Sequence, residues 1–153
     1  MKKLNTIQEI TVYETPEESP GYLLWRVSMK WRSAIEKTLK ASDLTHPQFV
    51  VLATTGWLTR KNDNVDQIQI SKTAGLDPNT TSQILRTLEN KKLITRVHSL
   101  NERSKNPILT ELGGHKLAEA LPAVEQADKL FFEVLERREF TVLIKAFQKL
   151  IDQ

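Results

Sequence analysis

The chain contains no cysteine. That excludes disulfides, thiolate nucleophiles, cysteine zinc sites and thiol-based redox sensing. Glycine and proline are sparse, 5 and 6 in 153 residues, while 39% of residues are hydrophobic and 27% charged; this is the composition of an ordinary globular protein. Long apolar runs are absent as well. A run such as Phe49 to Ala53 has five residues, against about 20 for a bilayer crossing. After Met1-Lys2-Lys3, the polar residues Asn5, Thr6, Gln8 and Glu9 leave no apolar core for a signal peptide. A cytoplasmic protein without membrane association is expected. A single domain is the default at this length, burying roughly 68–70% of its unfolded surface without help from a metal.

A strong excess of one charge is also missing: 22 Lys and Arg stand against 19 Asp and Glu, a net +3. The distribution is more informative than the sum. Residues 59–106 hold nine basic and five acidic side chains, residues 1–58 seven and six, and residues 107–153 six and eight. Positive charge therefore gathers in the middle third, a weak pointer to an anionic partner.

Residues 1–21, with Pro16, Pro20, Gly21 and the acidic Glu14, Glu17 and Glu18, read as an extended arm that stops before a helix. From Tyr22 the period changes. Leu24, Val27, Trp31, Ile35 and Leu39 recur at three and four, predicting an amphipathic helix of about five turns. Thr45-His46-Pro47 is a helix start leading into Phe49, Val50, Leu52, Ala53 and Trp57, and Arg60 to Asn64 is a polar loop.

Val65 to Thr73 can form a short helix carrying Ile68 and Ile70, ended by Ala74-Gly75-Leu76, where Gly75 can take the left-handed conformation. Asp77-Pro78 restarts a helix at once. Two helices joined by so short a turn make a helix-turn-helix. In the second helix Thr81, Ile84, Leu85 and Leu88 form the inward stripe. Asn79, Thr80, Ser82, Gln83 and Arg86 are left on the outer face, and these are the side-chain types that read base edges in a major groove. A solvated helix face is the alternative at this point.

Leu93 to Val97 and Pro107 to Thr110 are rich in strand formers, and the polar run His98 to Asn106 between them can turn but not pack. The result is a hairpin with Arg103 and Lys105 at its tip and Pro107 on an edge strand. A basic two-stranded wing following a helix pair weakens the solvated-face alternative. Gly113-Gly114 then reads as a break before a long helix with Leu117, Leu121, Val124, Phe131 and Leu135, which Pro122 kinks or whose first turn it marks. A last helix carries Phe140, Leu143, Ile144, Phe147, Leu150 and Ile151. Terminal helices with this much apolar surface exceed what one small module can cover, so a partner chain is expected. No Ser/His/Asp constellation, phosphate loop or paired-carboxylate site points to an enzyme.

These residues resemble the MarR family of winged helix-turn-helix transcriptional regulators, from about Tyr22 to the C-terminus. Thr81, Ile84, Leu85, Leu88 and Glu89 match the family's recognition-helix pattern, and Leu93-Ile94-Thr95-Arg96 its first wing strand. Asn101-Glu102-Arg103-Ser104-Lys105, with Leu109-Thr110-Glu111-Leu112-Gly113 beyond, is similar to its wing signature Asp-x-Arg-x-Lys followed by Leu-Thr and glycine. Two positions depart from the family: Asn101 replaces the wing aspartate, and Lys92 replaces the glycine before the first wing strand.

The resemblance implies a mainly α fold with a two- or three-stranded β-wing. Its parts are an arm (residues 1–21), an N-terminal dimerisation helix (22–44), a winged helix-turn-helix (45–111) and C-terminal dimerisation helices (112–153). It also implies a homodimer on a pseudo-palindromic double-stranded operator, acting as a repressor released by a small aromatic or phenolic effector. Asn79, Thr80, Ser82, Gln83, Arg86, Lys91, Lys92, Arg103 and Lys105 are the expected DNA contacts. Trp25, Arg26, Met29, Trp31, His46, Phe49 and Trp57 are candidates for the effector cleft, with core or dimer interface as the alternative. Zinc-sensing relatives use ligand clusters, whereas His46, His98 and His115 are isolated in sequence, so neither metal nor cofactor is expected. The competing function is a winged-helix protein-interaction module that does not read DNA; such a module would expose apolar residues where this chain has Asn, Thr, Ser, Gln and Arg.

Overall fold

The computed structural model describes residues 6–62, 64–98 and 105–153. A helical turn, α1 (Ile7–Ile10), and a 3-10 turn (Pro16–Glu18) open the chain, so the arm is not the extended segment its composition predicts. Thr6 and Glu9 satisfy each other's backbone amides across α1. The long helix α2 (Pro20–Leu39) starts two residues earlier than the periodicity suggests. Ser19 Oγ accepts from the Tyr22 amide at 3.3 Å, and Pro20 occupies the first helical position, where an amide has no partner to lose.

Each later start is set by a side-chain cap. Thr45 and Gln48 form a reciprocal box at the head of α3 (His46–Thr59), and Asp66 and Gln69 form another at α4 (Gln67–Ala74). Gly75, at φ 67°, ends α4 in the left-handed region, and Asp77 caps α5 (Pro78–Asn90) two residues later. The end of α5 is a Schellman turn with lysine in the glycine position. Lys92 lies at φ 61°, its amide donates to the Glu89 carbonyl at 2.9 Å, and the Leu93 amide donates to the Leu88 carbonyl at 2.9 Å.

Strands β1 (Ile94–His98) and β2 (Lys105–Leu109) pair antiparallel, with Ile94 opposite Leu109 and His98 opposite Lys105. Among the described residues the wing thus has two strands, and Pro107, opposite Arg96, sits where a two-stranded ribbon tolerates a missing donor. Helices α6 (Glu111–Phe132) and α7 (Arg137–Ile151) complete the chain. Pro122 lies inside α6, helical on both sides, so it does not mark a first turn.

One core runs through the molecule: Ile35 and Leu39 from α2, Phe49, Val51 and Leu52 from α3, Ile70 from α4, Leu85 and Leu88 from α5, Leu93 and Ile94 of the wing, and Ala120 and Val124 from α6. Burial on this scale is the main source of stability. α7 contributes nothing to it. None of its residues is buried, although Phe140, Ile144 and Leu150 lie along one apolar face.

The glycine pair after the wing is not a break. α6 begins before it at Glu111, capped by Thr110, whose Oγ1 accepts from the Gly113 amide at 3.0 Å and donates to the Lys92 carbonyl at 2.6 Å. Gly113 is instead a close-approach residue: a Cβ there would lie 1.8 Å from the Leu93 carbonyl oxygen. Gly113→Ala must push α6 off β1, with an expected loss of about 1–3 kcal/mol or more, as for other overpacking changes. Gly114→Ala meets nothing within 4 Å and serves as the control. Urea denaturation of the two variants side by side checks this.

Candidate nucleic-acid interface

The helix pair α4–α5 crosses at a turn of three residues held from within. Ser71 Oγ donates to the Leu76 carbonyl at 2.7 Å, and the Leu76 amide donates back to the Ser71 carbonyl at 3.1 Å. Asp77 Oδ1 accepts from the Thr80 amide at 2.9 Å, while Thr80 Oγ1 donates to Asp77 Oδ2 at 2.5 Å. These bonds stabilise the charged carboxylate and hold its pKa below the ordinary aspartate value. Thr81, Leu85 and Leu88 are buried, and Asn79, Gln83 and Arg86 are exposed on the other side of α5, with Ser82 partly so. The sequence-predicted outer face is thus assembled, with one refinement. The Thr80 hydroxyl belongs to the cap.

The wing is braced against this helix at its base. Arg96 Nε on β1 donates to Glu89 Oε2 on α5 at 3.2 Å. On β2, the buried Asn106 donates through Nδ2 to Asn64 Oδ1 at 3.2 Å, tying the strand to the loop after α3. Lys105 is exposed at the first position of β2, and Lys92 is exposed at the helix–strand corner. Arg103 and Asn101 lie outside the described residues.

Lys91 departs from its expected role. Its ammonium turns away from the outer face and donates to the Asp43 carbonyl at 2.6 Å, the Asp43 carboxylate at 3.2 Å and Gln48 Oε1 at 3.3 Å. Three oxygens take up its three donors, which leaves little to offer a phosphate.

The candidate cleft residues are not gathered into one cavity. Phe49 is in the core, and Trp25, Met29 and Trp57 are exposed. The Arg26 guanidinium lies 5.8 Å from the Tyr22 ring centre, and that of Arg60 lies 3.7 Å from the Trp57 ring centre. A groove of about 440 Å³ does open between α2, α6 and α7, lined by Leu24, Val27, Ser28, Trp31, Asp128, Phe132, Phe140, Ile144 and Phe147. Of the expected cleft residues, Trp31 alone lines it. Trp31 Nε1 donates to Asp128 Oδ1 at 2.7 Å, joining α2 to α6, and its ring meets His46 edge-on at 5.0 Å at the head of α3.

Residues 44–105 match the model of the MarR family. An uncharacterized HTH-type transcriptional regulator of Bacillus subtilis, YdcH, is 36% identical over 135 residues, covering 83% of this chain and 87% of its own. The chain belongs to the MarR family. Its fold is shared by MarR-like solved structures along nearly the whole length. Bordetella bronchiseptica BpsR, studied for regulation of its DNA binding by 6-hydroxynicotinic acid, superposes with a TM-score of 0.82 at 25% identity, covering 94% of this chain and 99% of that one. S. aureus MepR, solved as a DNA complex, superposes with a TM-score of 0.79 at 23% identity, covering 90% and 98%. Members of the MarR family are transcriptional regulators, and no helix among the described residues of this one is long and apolar enough to cross a membrane.

Sequence reasoning missed the polar ties of this MarR protein: Lys91 to Asp43, Asn106 to Asn64, and Trp31 to Asp128. Their partners lie 48, 42 and 97 residues apart, beyond any local spacing rule. His46 has a further consequence at the Trp31 junction. Partial burial, aided by the Arg32 guanidinium, holds its pKa below the ordinary value of 6.5, while Glu36 and Asp128 pull the other way. The folded chain therefore binds a proton less readily than the unfolded one, so the His46 contribution to stability is complete above pH 6.5 and is lost as pH falls toward the folded pKa. Between about pH 7.5 and pH 5 the urea midpoint of the wild type should fall further than that of His46→Gln. Parallel curves for the two proteins would refute this.

Proposed function

We propose that this MarR-family chain is a dimeric, sequence-specific DNA-binding repressor that works in the cytoplasm without catalysis and is released by a small aromatic effector. The observation that carries the reading is the outer face of α5. Asn79, Gln83 and Arg86 are exposed together on a helix whose opposite face is locked into the core. Such a helix can enter a major groove without giving up packing. Lys92 and Lys105 flank it as phosphate contacts, and Arg103, outside the described residues, is proposed as a further one. The reading as a protein-interaction module loses ground because this face is polar. BpsR supports an aromatic acid as the effector class, with the exposed Trp25, Arg26 and Trp57 as its candidate contacts once a second chain closes the surface.

A gel shift on the protein's own promoter region, with a salt series and a panel of aromatic acids, tests the reading. Gln83→Ala and Arg86→Ala should each weaken cognate binding by about 1–3 kcal/mol more than binding to random DNA, because a base-edge contact is lost. Equal losses on both duplexes would remove the base-reading role.

Dimerisation rests on α7 and the first half of α2. α7 is an amphipathic helix with nothing buried, and Leu24, Trp25 and Val27 of α2 are 58%, 63% and 44% exposed. Apolar surface on that scale marks an interface. The groove between α2, α6 and α7 continues this surface and is the proposed seat of the second copy's helices. Phe147→Asp should shift the protein toward monomer in light scattering and weaken operator binding, since one module makes half the contacts. A wild-type chain that stays monomeric at micromolar concentration would sink the dimer.

A further inference from the structure

The recognition helix α5 packs against α3, α4 and β1. Those contacts hold it within the winged module, whereas the Lys91 side chain reaches outside it. Lys91 follows the last residue of α5, and its ammonium lands on the corner between α2 and α3. Two of its bonds go to Asp43, the residue that closes the 3-10 turn after α2 at a left-handed φ of 52°. The third goes to Gln48, already half of the box that caps α3. Asp is among the few residues that tolerate the left-handed region, so the corner holds its shape around the lysine. The link therefore runs from the end of the recognition helix to the end of the helix proposed to carry the dimer.

We infer that Lys91 is a positioning residue, whose latch onto Asp43 fixes the recognition helix relative to α2 and thereby sets the half-site spacing that the dimer accepts. The inference rests on the dimeric DNA-binding reading above. In a two-fold dimer the two recognition helices must stand about one DNA turn apart, roughly 34–36 Å. A winged module tied to α2 through the core and α6 alone would accept a wider range of separations than one that is also latched. The bond contributes little to folding. The Asp43 side chain is 92% exposed and that of Lys91 32%, and an ion pair so open to water adds little to folding stability. Variants should therefore fold, and the loss should be read in binding geometry.

A phosphate contact, the role its charge suggests, predicts the opposite sign when Asp43 is changed. Removing that negative charge would loosen the hold on the ammonium in favour of DNA phosphate and tighten binding everywhere. The latch requires Asp43→Asn to weaken operator binding instead.

The test uses the full-length protein and the tightest-binding duplex from its own upstream region. That duplex is compared with versions carrying a single base pair inserted or removed at the dyad, and with random DNA, over a salt series. In Lys91→Met, the preference for native over altered spacing should fall roughly fivefold, the equivalent of about 1 kcal/mol. Its salt slope should equal that of the wild type. Lys91→Arg should keep most of the spacing preference, and Asp43→Asn should lose part of it. The proposal is overturned if Asp43→Asn binds all duplexes more tightly. It is equally overturned if Lys91→Met keeps its spacing preference while its salt slope drops by about 0.9. A wild-type chain that selects no duplex at all would overturn the DNA-binding reading itself, a failure distinct from either of these.

Discussion

The passage of α6 against the Leu93 carbonyl is the constraint on which the rest of the structure depends. Four elements meet there: the end of α5, the start of β1, the end of β2 and the first turn of α6. Thr110 joins them, its amide donating to the Leu93 carbonyl at 3.1 Å and its hydroxyl bonding both Lys92 and Gly113. Only a residue without a Cβ fits at Gly113. Because α6 also packs against α2, this joint decides how the winged module is carried by the helices assigned to dimerisation. Apart from the Thr110 hydroxyl, its groups are backbone carbonyls and amides, which cannot adjust by changing a rotamer. The joint is rigid for that reason.

Away from the joint, each part of the proposed DNA-binding face is held by polar ties. Asp77 fixes the head of α5, Glu89 holds the wing through Arg96, Asn64 holds it through Asn106, and Asp43 receives Lys91. Most of these pairs are partly exposed and individually weak. Their value is directional. A hydrogen bond or ion pair constrains angle as well as distance, whereas the apolar core beneath tolerates small rotations at little cost.

Much of the fold was legible because its determinants are local. The helix start at Thr45-His46-Pro47, the Asp77 cap, the left-handed Gly75 and the inward stripe of Thr81, Ile84, Leu85 and Leu88 follow from local pattern, and the structure keeps them, with Ile84 only partly buried. The misreadings share one cause. Gly113 looks like a break in a one-dimensional pattern, and its reason for being glycine is a carbonyl some 20 residues away in the wing. Lys91 reads as surface charge because nothing near it in sequence announces Asp43 or Gln48. The cleft aromatics scatter for the same reason: Trp25, Phe49 and Trp57 share helical spacing with core residues, and tertiary packing alone separates a buried ring from an exposed one.

The uncovered face of α7 reaches beyond assembly. A helix with no buried residue in its own chain has little tertiary support, and an isolated helix of 15 residues is marginal in water. If the second copy supplies that support, folding of α7 is linked to protomer concentration by mass action, and so is the chain's resistance to proteolysis. Copy number would then do more than set occupancy of an operator. At the lowest levels it would govern how long each molecule survives, so that dilution and degradation reinforce each other.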